Sequence, residues 1–373
     1  MISRFKSFCF AVISIVISLF IVALLLEITL RCLPVNEGLY AQPVNDESPV
    51  LRYAPNRSSI YSKGWNFGIV NHIRVNNYGF VSQSDYDPKA VTPLLAILGD
   101  SYVEAAMVPQ THTAAAILAG NLGHQGRVYS FGSSGSALSQ YLAYARYARE
   151  TFHPACLAVL IIGNDFDESL LKYKSEPGYH YFQERPNGEL ALTRVNREVN
   201  PWRRLVAGLA LARYVVVNLE APQVWARVKE VYQPYSVPRA SYAGNVSAHV
   251  DGTRLMDSQR AVDAFLDMLP AQAGLFPSRI IIGIDGNRRA IYESRGESAT
   301  DDYFDVMRRY AMRVAAAKGF DVIDMHQQYS AHFTAHGRKF DFPTDGHWNE
   351  VGHAVFAHAI QDSPAFKGCF GAN

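Results

Sequence analysis

Five short runs of this chain are apolar almost from end to end, and each gives way to a turn or a polar residue: Pro93–Leu98, Arg127–Phe131, Cys156–Ile162, Arg279–Ile284 and Phe320–Ile323. A strand with one wet face alternates apolar and polar residues, whereas a strand covered on both faces is apolar throughout. Helical patterns at 102–121, 136–151, about 255–272 and 301–318 lie between these runs. Strands alternating with helices predict an α/β fold around a parallel sheet. The stretch 166–253 interrupts the alternation and reads as an insertion. Arg185–Glu189 has hairpin-turn chemistry, and Trp202 to about Val231 reads as one or two helices broken near Pro222. The apolar face of that stretch has three destinations open to it: packing on the core, covering the site, or touching a membrane.

The N-terminus follows different rules. No charged residue occurs from Ser7 to Leu26, and about 20 apolar residues are what a helix needs to cross a bilayer core. Arg4 and Lys6 precede the run, which favours an inside N-terminus and an outside remainder. A cleaved signal would be shorter and would end at small residues, whereas here Glu27-Ile28-Thr29-Leu30-Arg31 follows. Arg31 before Cys32 also argues against a lipid-modified cysteine. The expected organisation is an uncleaved membrane anchor at 1–33, a linker and N-terminal extension at 34–92, and a large domain at 93–373 carrying the insertion. With a net charge of +1 there is no electrostatic case for nucleic acid. The four cysteines form no C-x-x-C pair; Cys156 either joins Cys369 in a disulfide or is a buried small hydrophobe. His326, His332 and His336 form no complete metal-ligand set and read as solvated. Asn56-Arg57-Ser58 and Asn245-Val246-Ser247 match glycosylation sequons, a short pattern that recurs by chance.

Ligands of open parallel sheets bind beyond the carboxyl ends of the strands. At that edge fall Gly99-Asp100-Ser101, then Gly132-Ser133-Ser134-Gly135, then Gly163-Asn164-Asp165, with "DFPTDGHWNEVGH" from Asp341 to His353 near the C-terminus. Ser101-x-x-Glu104 alone is a capping box, and a helix start is its plain explanation. Together the segments supply what acyl transfer requires. A serine needs a base to take its proton, a histidine provides one, and a carboxylate fixes the histidine's tautomer. A glycine N–H and an asparagine amide can receive the oxyanion.

These blocks, in this order, resemble the SGNH hydrolase superfamily, the GDSL-type esterases. The resemblance spans about residues 93–360 apart from the insertion. It implies a flavodoxin-like three-layer sandwich with a mostly parallel five-stranded sheet, here preceded by one transmembrane helix. It also implies Ser101 as nucleophile, His347 as base, Asp345 as its partner, and an oxyanion hole of Ser101, Gly135 and Asn164, with no cofactor and no metal. The family spacing is Asp-x-x-His, whereas Asp345-Gly346-His347 is one residue shorter and leaves Asp341 in reserve. More narrowly, Glu27 with Arg31, Asn76-x-x-Gly79-Phe80 and Asp345-x-His347-Trp348-Asn349 resemble membrane-anchored bacterial proteins of this superfamily, among them O-acetyltransfer proteins of cell-surface polysaccharides. The implied partners are an acylated small molecule or carbohydrate, the membrane, and a polysaccharide-export or acyl-donor membrane protein. The implied activity is an extracytoplasmic, periplasmic esterase or O-acyltransferase; a non-catalytic module that binds surface polysaccharide is the alternative.

Overall fold

The computed structural model describes residues 2–221, 252–293 and 303–371. The rest of the expected insertion, 222–251 with the Asn245 sequon, lies outside the described residues, as does the start of the helix expected over 301–318. The chain divides into two compact units. One holds the chain up to Leu39, Ser59–His72 and the described residues from Val199. The other holds Tyr40–Ser58, Ile73–Glu198 and the described residues from 252 onward.

Strands β1 (Arg57–Lys63) and β2 (Ile69–Val75) pair with each other. The larger unit is built on β3 (Leu94–Gly99), β4 (Arg127–Gly132), β5 (Cys156–Ile161), β8 (Ile280–Ile284) and β9 (Asp321–Asp324). They lie in the order β4-β3-β5-β8-β9, and every pairing is parallel. Counted along the chain this order is 2-1-3-4-5, the flavodoxin-like arrangement. The sheet is thus wholly rather than mostly parallel.

Alternate residues of each strand feed opposite cores, as the two-residue period of a strand requires. Leu94, Ala96 and Leu98 face the helices Leu138–Phe152, Gly252–Ala273 and Tyr303–Ala317, while Leu95 and Ile97 face Ala114–Leu122, Met325–His336 and Glu350–Asp362. Both sides being dry explains why the strands read as unbroken apolar runs. A disulfide joins Cys156, at the start of β5, to Cys369 in the last helix, Pro364–Phe370.

The helix expected over 102–121 is two helices, Ser101–Glu104 and Ala114–Leu122. Ala105 ends the first in the left-handed region at φ 51°, Pro109 interrupts the path, and Thr113 caps the second by accepting from the Ala116 N–H. The hairpin expected around Arg185–Glu189 is present as β6 (His180–Glu184) and β7 (Leu190–Arg194). Before β3, Asn76 is fully buried, and its side-chain oxygen accepts from the N–H groups of Tyr78 and Phe80, which shapes the Asn-x-x-Gly-Phe turn.

In the smaller unit the helix Ile2–Arg31 contains a segment, Phe5–Arg31, long and apolar enough to cross a membrane, its most apolar 18 residues having mean hydropathy 3.1. Past its end, Asn218 donates to the Ser62 hydroxyl and accepts from the Asn36 N–H, tying the three segments of this unit together.

Candidate active site

Ser101 stands where β3 ends and a four-residue helix begins. The cap of that helix is Asp100, whose Oδ1 accepts from the Tyr102 N–H at 2.9 Å. Glu104, the other half of the expected capping box, turns away to accept from the N–H and hydroxyl of Ser134. The capping box is therefore not formed, because a residue one position earlier does the capping. The Ser101 hydroxyl is left for other partners: Oγ lies 2.8 Å from His347 Nε2 and 3.1 Å from Asp100 Oδ2. Burial pushes the Asp100 carboxyl up to about 6.

Asp345 and His347 belong to β11 (Asp345–Trp348), which pairs with β10 (Asp341–Phe342) in a short antiparallel ladder. Residues two apart on a strand point to the same side. The one-residue shortening of the motif is thereby accommodated: an extended Asp-x-His brings both side chains to one face without a turn. Asp345 Oδ1 accepts from the His347 N–H at 3.0 Å and lies 2.5 Å from Nδ1. Asp345 is buried and His347 half-buried. With the Nδ1 proton directed at Asp345, Nε2 is left as an acceptor facing Ser101. Asp341, the reserve carboxylate, instead accepts from the Tyr292 hydroxyl at 2.7 Å.

Two side chains hold the peptide between Asp345 and His347. The Gly346 carbonyl accepts from Arg288 Nη1 at 2.7 Å and from the Tyr102 hydroxyl at 2.9 Å, and Arg288 Nη2 lies 2.8 Å from that hydroxyl. Arg288 also approaches Asp285, just beyond β8, whose Oδ1 accepts from the indole N–H of the fully buried Trp348. His353 lies beneath Trp348, its Nδ1 accepting from the Ala114 N–H; burial lowers it to about 3, so it is a neutral core histidine.

Gly135 and Asn164 sit in the turns that follow β4 and β5, the two neighbours of β3, each a few residues beyond the strand's end. Gly135 adopts φ +84°, which L-residues with side chains rarely take. The need for glycine at 132 is different: a Cβ there would fall 2.4 Å from the Glu104 nitrogen, so glycine is what lets the Ser101 helix pack on β4. The turn between them is heavily tied. Ser133 Oγ lies 2.7 Å from both Ser136 Oγ and the Tyr144 hydroxyl, and the Ser134 carbonyl accepts from Tyr179 at 2.6 Å. Lys174 Nζ donates to the Gly135 carbonyl at 3.0 Å and to Glu168 Oε2 at 2.6 Å, and that same oxygen accepts from Asn164 Nδ2 at 3.3 Å. Gly135 and Asn164 are thus joined to each other through Lys174 and Glu168.

The sequence reasoning missed Arg288, Tyr102, Glu168, Lys174 and Tyr179. Tyr102 adjoins Ser101 and Glu168 follows Asp165 by three residues, which is a signal of a kind; Arg288, Lys174 and Tyr179 carry none. Among the described residues no group of three His, Cys, Asp or Glu side chains could hold a metal ion. His326 is buried rather than solvated, with its Nδ1 accepting from the Asn287 N–H.

A hydroxyl, an imidazole and a buried carboxylate in series can transfer a proton away from the hydroxyl oxygen as that oxygen attacks an electrophile. No family model matches the chain, and no curated protein matches it in sequence. Solved structures similar to it include a member of the lipolytic G-D-S-L family from Veillonella parvula, at 10% identity over 73% of this chain and 97% of that one, with a TM-score of 0.38. An acetyl xylan esterase is 12% identical over 72% of this chain and 97% of its own, with a TM-score of 0.35. A salicylyl-acyltransferase from a tetracycline biosynthetic pathway is 13% identical over 78% of this chain and 59% of its own, with a TM-score of 0.36.

Proposed function

We propose that this chain is a membrane-anchored, extracytoplasmic serine acyl-ester enzyme of the SGNH, GDSL type, acting on ester-linked acyl groups of a cell-surface carbohydrate. The observation that carries the reading is the unbroken series Ser101 Oγ, His347 Nε2, His347 Nδ1 and Asp345 Oδ1 at the carboxyl edge of a parallel sheet. His347 takes the Ser101 proton as Oγ attacks the ester carbonyl. The oxyanion of the tetrahedral intermediate receives N–H groups from Ser101, Gly135 and Asn164. Collapse breaks the bond to the alcohol, which leaves with the proton from His347, and the acyl group stays on Ser101. Water or a sugar hydroxyl then attacks the acyl-serine by the same route, its proton passing to His347 and on to Ser101 Oγ. Asp345 holds the imidazole and stabilises its cation throughout.

Arg4 and Lys6 before the apolar helix support an outside location for the large unit. The Cys156–Cys369 disulfide supports it too, since such bonds persist in oxidising compartments. The carbohydrate substrate and acetyl donor rest on the motif resemblance. The test is to incubate the full chain in detergent with a small acetyl ester, with and without an oligosaccharide acceptor, and identify the products. Acetate alone marks a hydrolase, and acetylated oligosaccharide marks a transferase. Turnover of neither, in folded protein across several acyl lengths, contradicts the enzyme reading.

A further inference from the structure

The segment Pro201–Leu219 is fixed to the end of the apolar N-terminal helix. Glu27, at the last turn of that helix, accepts from the backbone N–H groups of Ala210 at 3.0 Å and Leu211 at 2.8 Å. Arg31 Nε donates to the same carboxylate, and its Nη2 reaches the Gly208 carbonyl. Leu30, Val35 and Ala210 bury one another, with Leu211 and Tyr214 packed alongside. The attachment is therefore a capped, packed joint, and it sets the height of the segment relative to the N-terminal helix.

That height is where a bilayer's hydrocarbon ends. Ser7–Leu26 is about 30 Å long at 1.5 Å per residue, the thickness of the hydrocarbon core, so Glu27 falls at its outer limit. At this level the helix Pro201–Ala207 leaves Trp202, Leu205 and Val206 exposed, at 76%, 64% and 53% of their full surface. These positions are i, i+3 and i+4, a single stripe on one helix face. Leu209 and Val216, also exposed, follow in the next turns. Within 201–219 the charged residues are all arginines, Arg203, Arg204 and Arg213, with Glu198 and Glu220 just outside the segment. An apolar stripe with a tryptophan and flanking arginines, at the edge of the hydrocarbon, is the composition of an interfacial helix on anionic lipid.

We infer that Pro201–Leu219 is a second membrane element, lying in the outer interface of the bilayer with Trp202, Leu205 and Val206 in the upper acyl chains. This rests on the reading of Phe5–Arg31 as a membrane span. Continuity with that span, the depth set by Glu27 and the absence of any carboxylate within 201–219 favour lipid over a second protein. The element holds the chain to the surface at two points rather than one, and so limits rotation about the span.

The test uses the full chain with Cys9→Ser and Cys32→Ser, which leaves the disulfide as the only other cysteine site. Single cysteines at Leu19, Leu205 or Val206 are labelled with an environment-sensitive fluorophore. The protein is reconstituted alone in vesicles of phosphatidylcholine and phosphatidylglycerol, with lipid nitroxides at shallow or deep acyl positions or with iodide in the water. The inference expects the labels at 205 and 206 to lose most of their emission to the shallow nitroxide and little to iodide, and the label at 19 to lose most of its emission to the deep nitroxide. If the label at 19 behaves so while those at 205 and 206 are quenched by iodide, the interfacial element is wrong and the span stands. Labels at 205 and 206 shielded from both quenchers mean that a second copy covers the stripe, which also overturns it. A label at 19 that no lipid nitroxide reaches overturns both readings.

Discussion

In one half of the candidate site, Asp345 reaches His347 across two residues of a single short strand, and Ser101 meets them from the end of the neighbouring fold element. In the other half, Gly135 is linked to Asn164 through Lys174 and Glu168, two long side chains from the segment after β5. The first half is held by strand periodicity and by buried groups: Arg288 and Tyr102 on the Gly346 carbonyl, Asp285 on Trp348. The second is held by an ion pair whose side chains are 14% and 25% exposed, where water and salt weaken the attraction. The series Ser101, His347 and Asp345, with fixed geometry, thus sits beside the proposed oxyanion donors, Gly135 and Asn164, whose alignment depends on a softer bridge.

The largest effect should come from the rigid half. Asp345→Asn should lower kcat by about 10³–10⁴, as loss of the orienting carboxylate does in serine triads, whereas Asp341→Asn should cost less than about tenfold. Steady-state kinetics of both variants decide this, and the opposite ranking would move the carboxylate role to Asp341. Next is Asn164→Ala, expected to cost about 10²–10³ in kcat with a small change in KM, the usual loss for one oxyanion donor. A change confined to KM would make Asn164 a ground-state contact and break the comparison on its soft side.

Below these stands a stability effect beside Ser101. The Asp100 carboxyl is raised from 3.8 to about 6, so the folded state holds its proton more tightly than the unfolded chain. The associated stability is fully present below about pH 4 and is lost as the pH rises through 6. A shift of about two units is worth ~3 kcal/mol at most. Asp100→Asn retains an oxygen for the Tyr102 N–H, and so should gain up to that amount over the wild type at pH 8 while matching it near pH 4. Denaturant unfolding at the two pH values checks it; an equal difference at both would mean that Asp100 is charged at neither or at both.

The smallest expected effect probes the bridge. Lys174→Met should lower kcat roughly tenfold, a fraction of what direct loss of a donor costs, with KM nearly unchanged, and Lys174→Arg should restore most of it. Added salt should lower wild-type kcat in the same direction, because the ion pair is partly exposed. A Lys174→Met enzyme with wild-type kcat at all salt concentrations would show that Gly135 and Asn164 need no bridge.

The same contrast explains what could be read from the residues. The sheet was legible because strands buried on both faces are apolar at every position, and Leu94–Leu98 and Cys156–Ile161 announce themselves that way. Ser101 was legible because its motif abuts the end of β3, and Asp345 and His347 because a histidine two residues from an aspartate is a recognisable pairing near the C-terminus. The break in the 102–121 helix was not, because alanine at 105 gives no hint that it will take a left-handed conformation. Lys174 and Tyr179 were hidden in mixed polar sequence, where nothing local tells a bridging lysine from a solvated one. Arg288 was hidden for a related reason: its partners, Tyr102 and Gly346, are 186 and 58 residues away. The interfacial stripe was half legible, since the apolar residues of 202–219 were visible but their destination depends on Glu27.

The central claim is that Ser101 is a nucleophile activated by His347. A fluorophosphonate probe forms a covalent adduct with such a serine and is read by intact-protein mass and peptide mapping. The full-length wild type should take up one probe, at Ser101, and Ser101→Ala should take up none while unfolding at a temperature close to that of the wild type. Labelling of Ser101→Ala to the wild-type extent, or a folded wild type that stays unlabelled, would contradict the account.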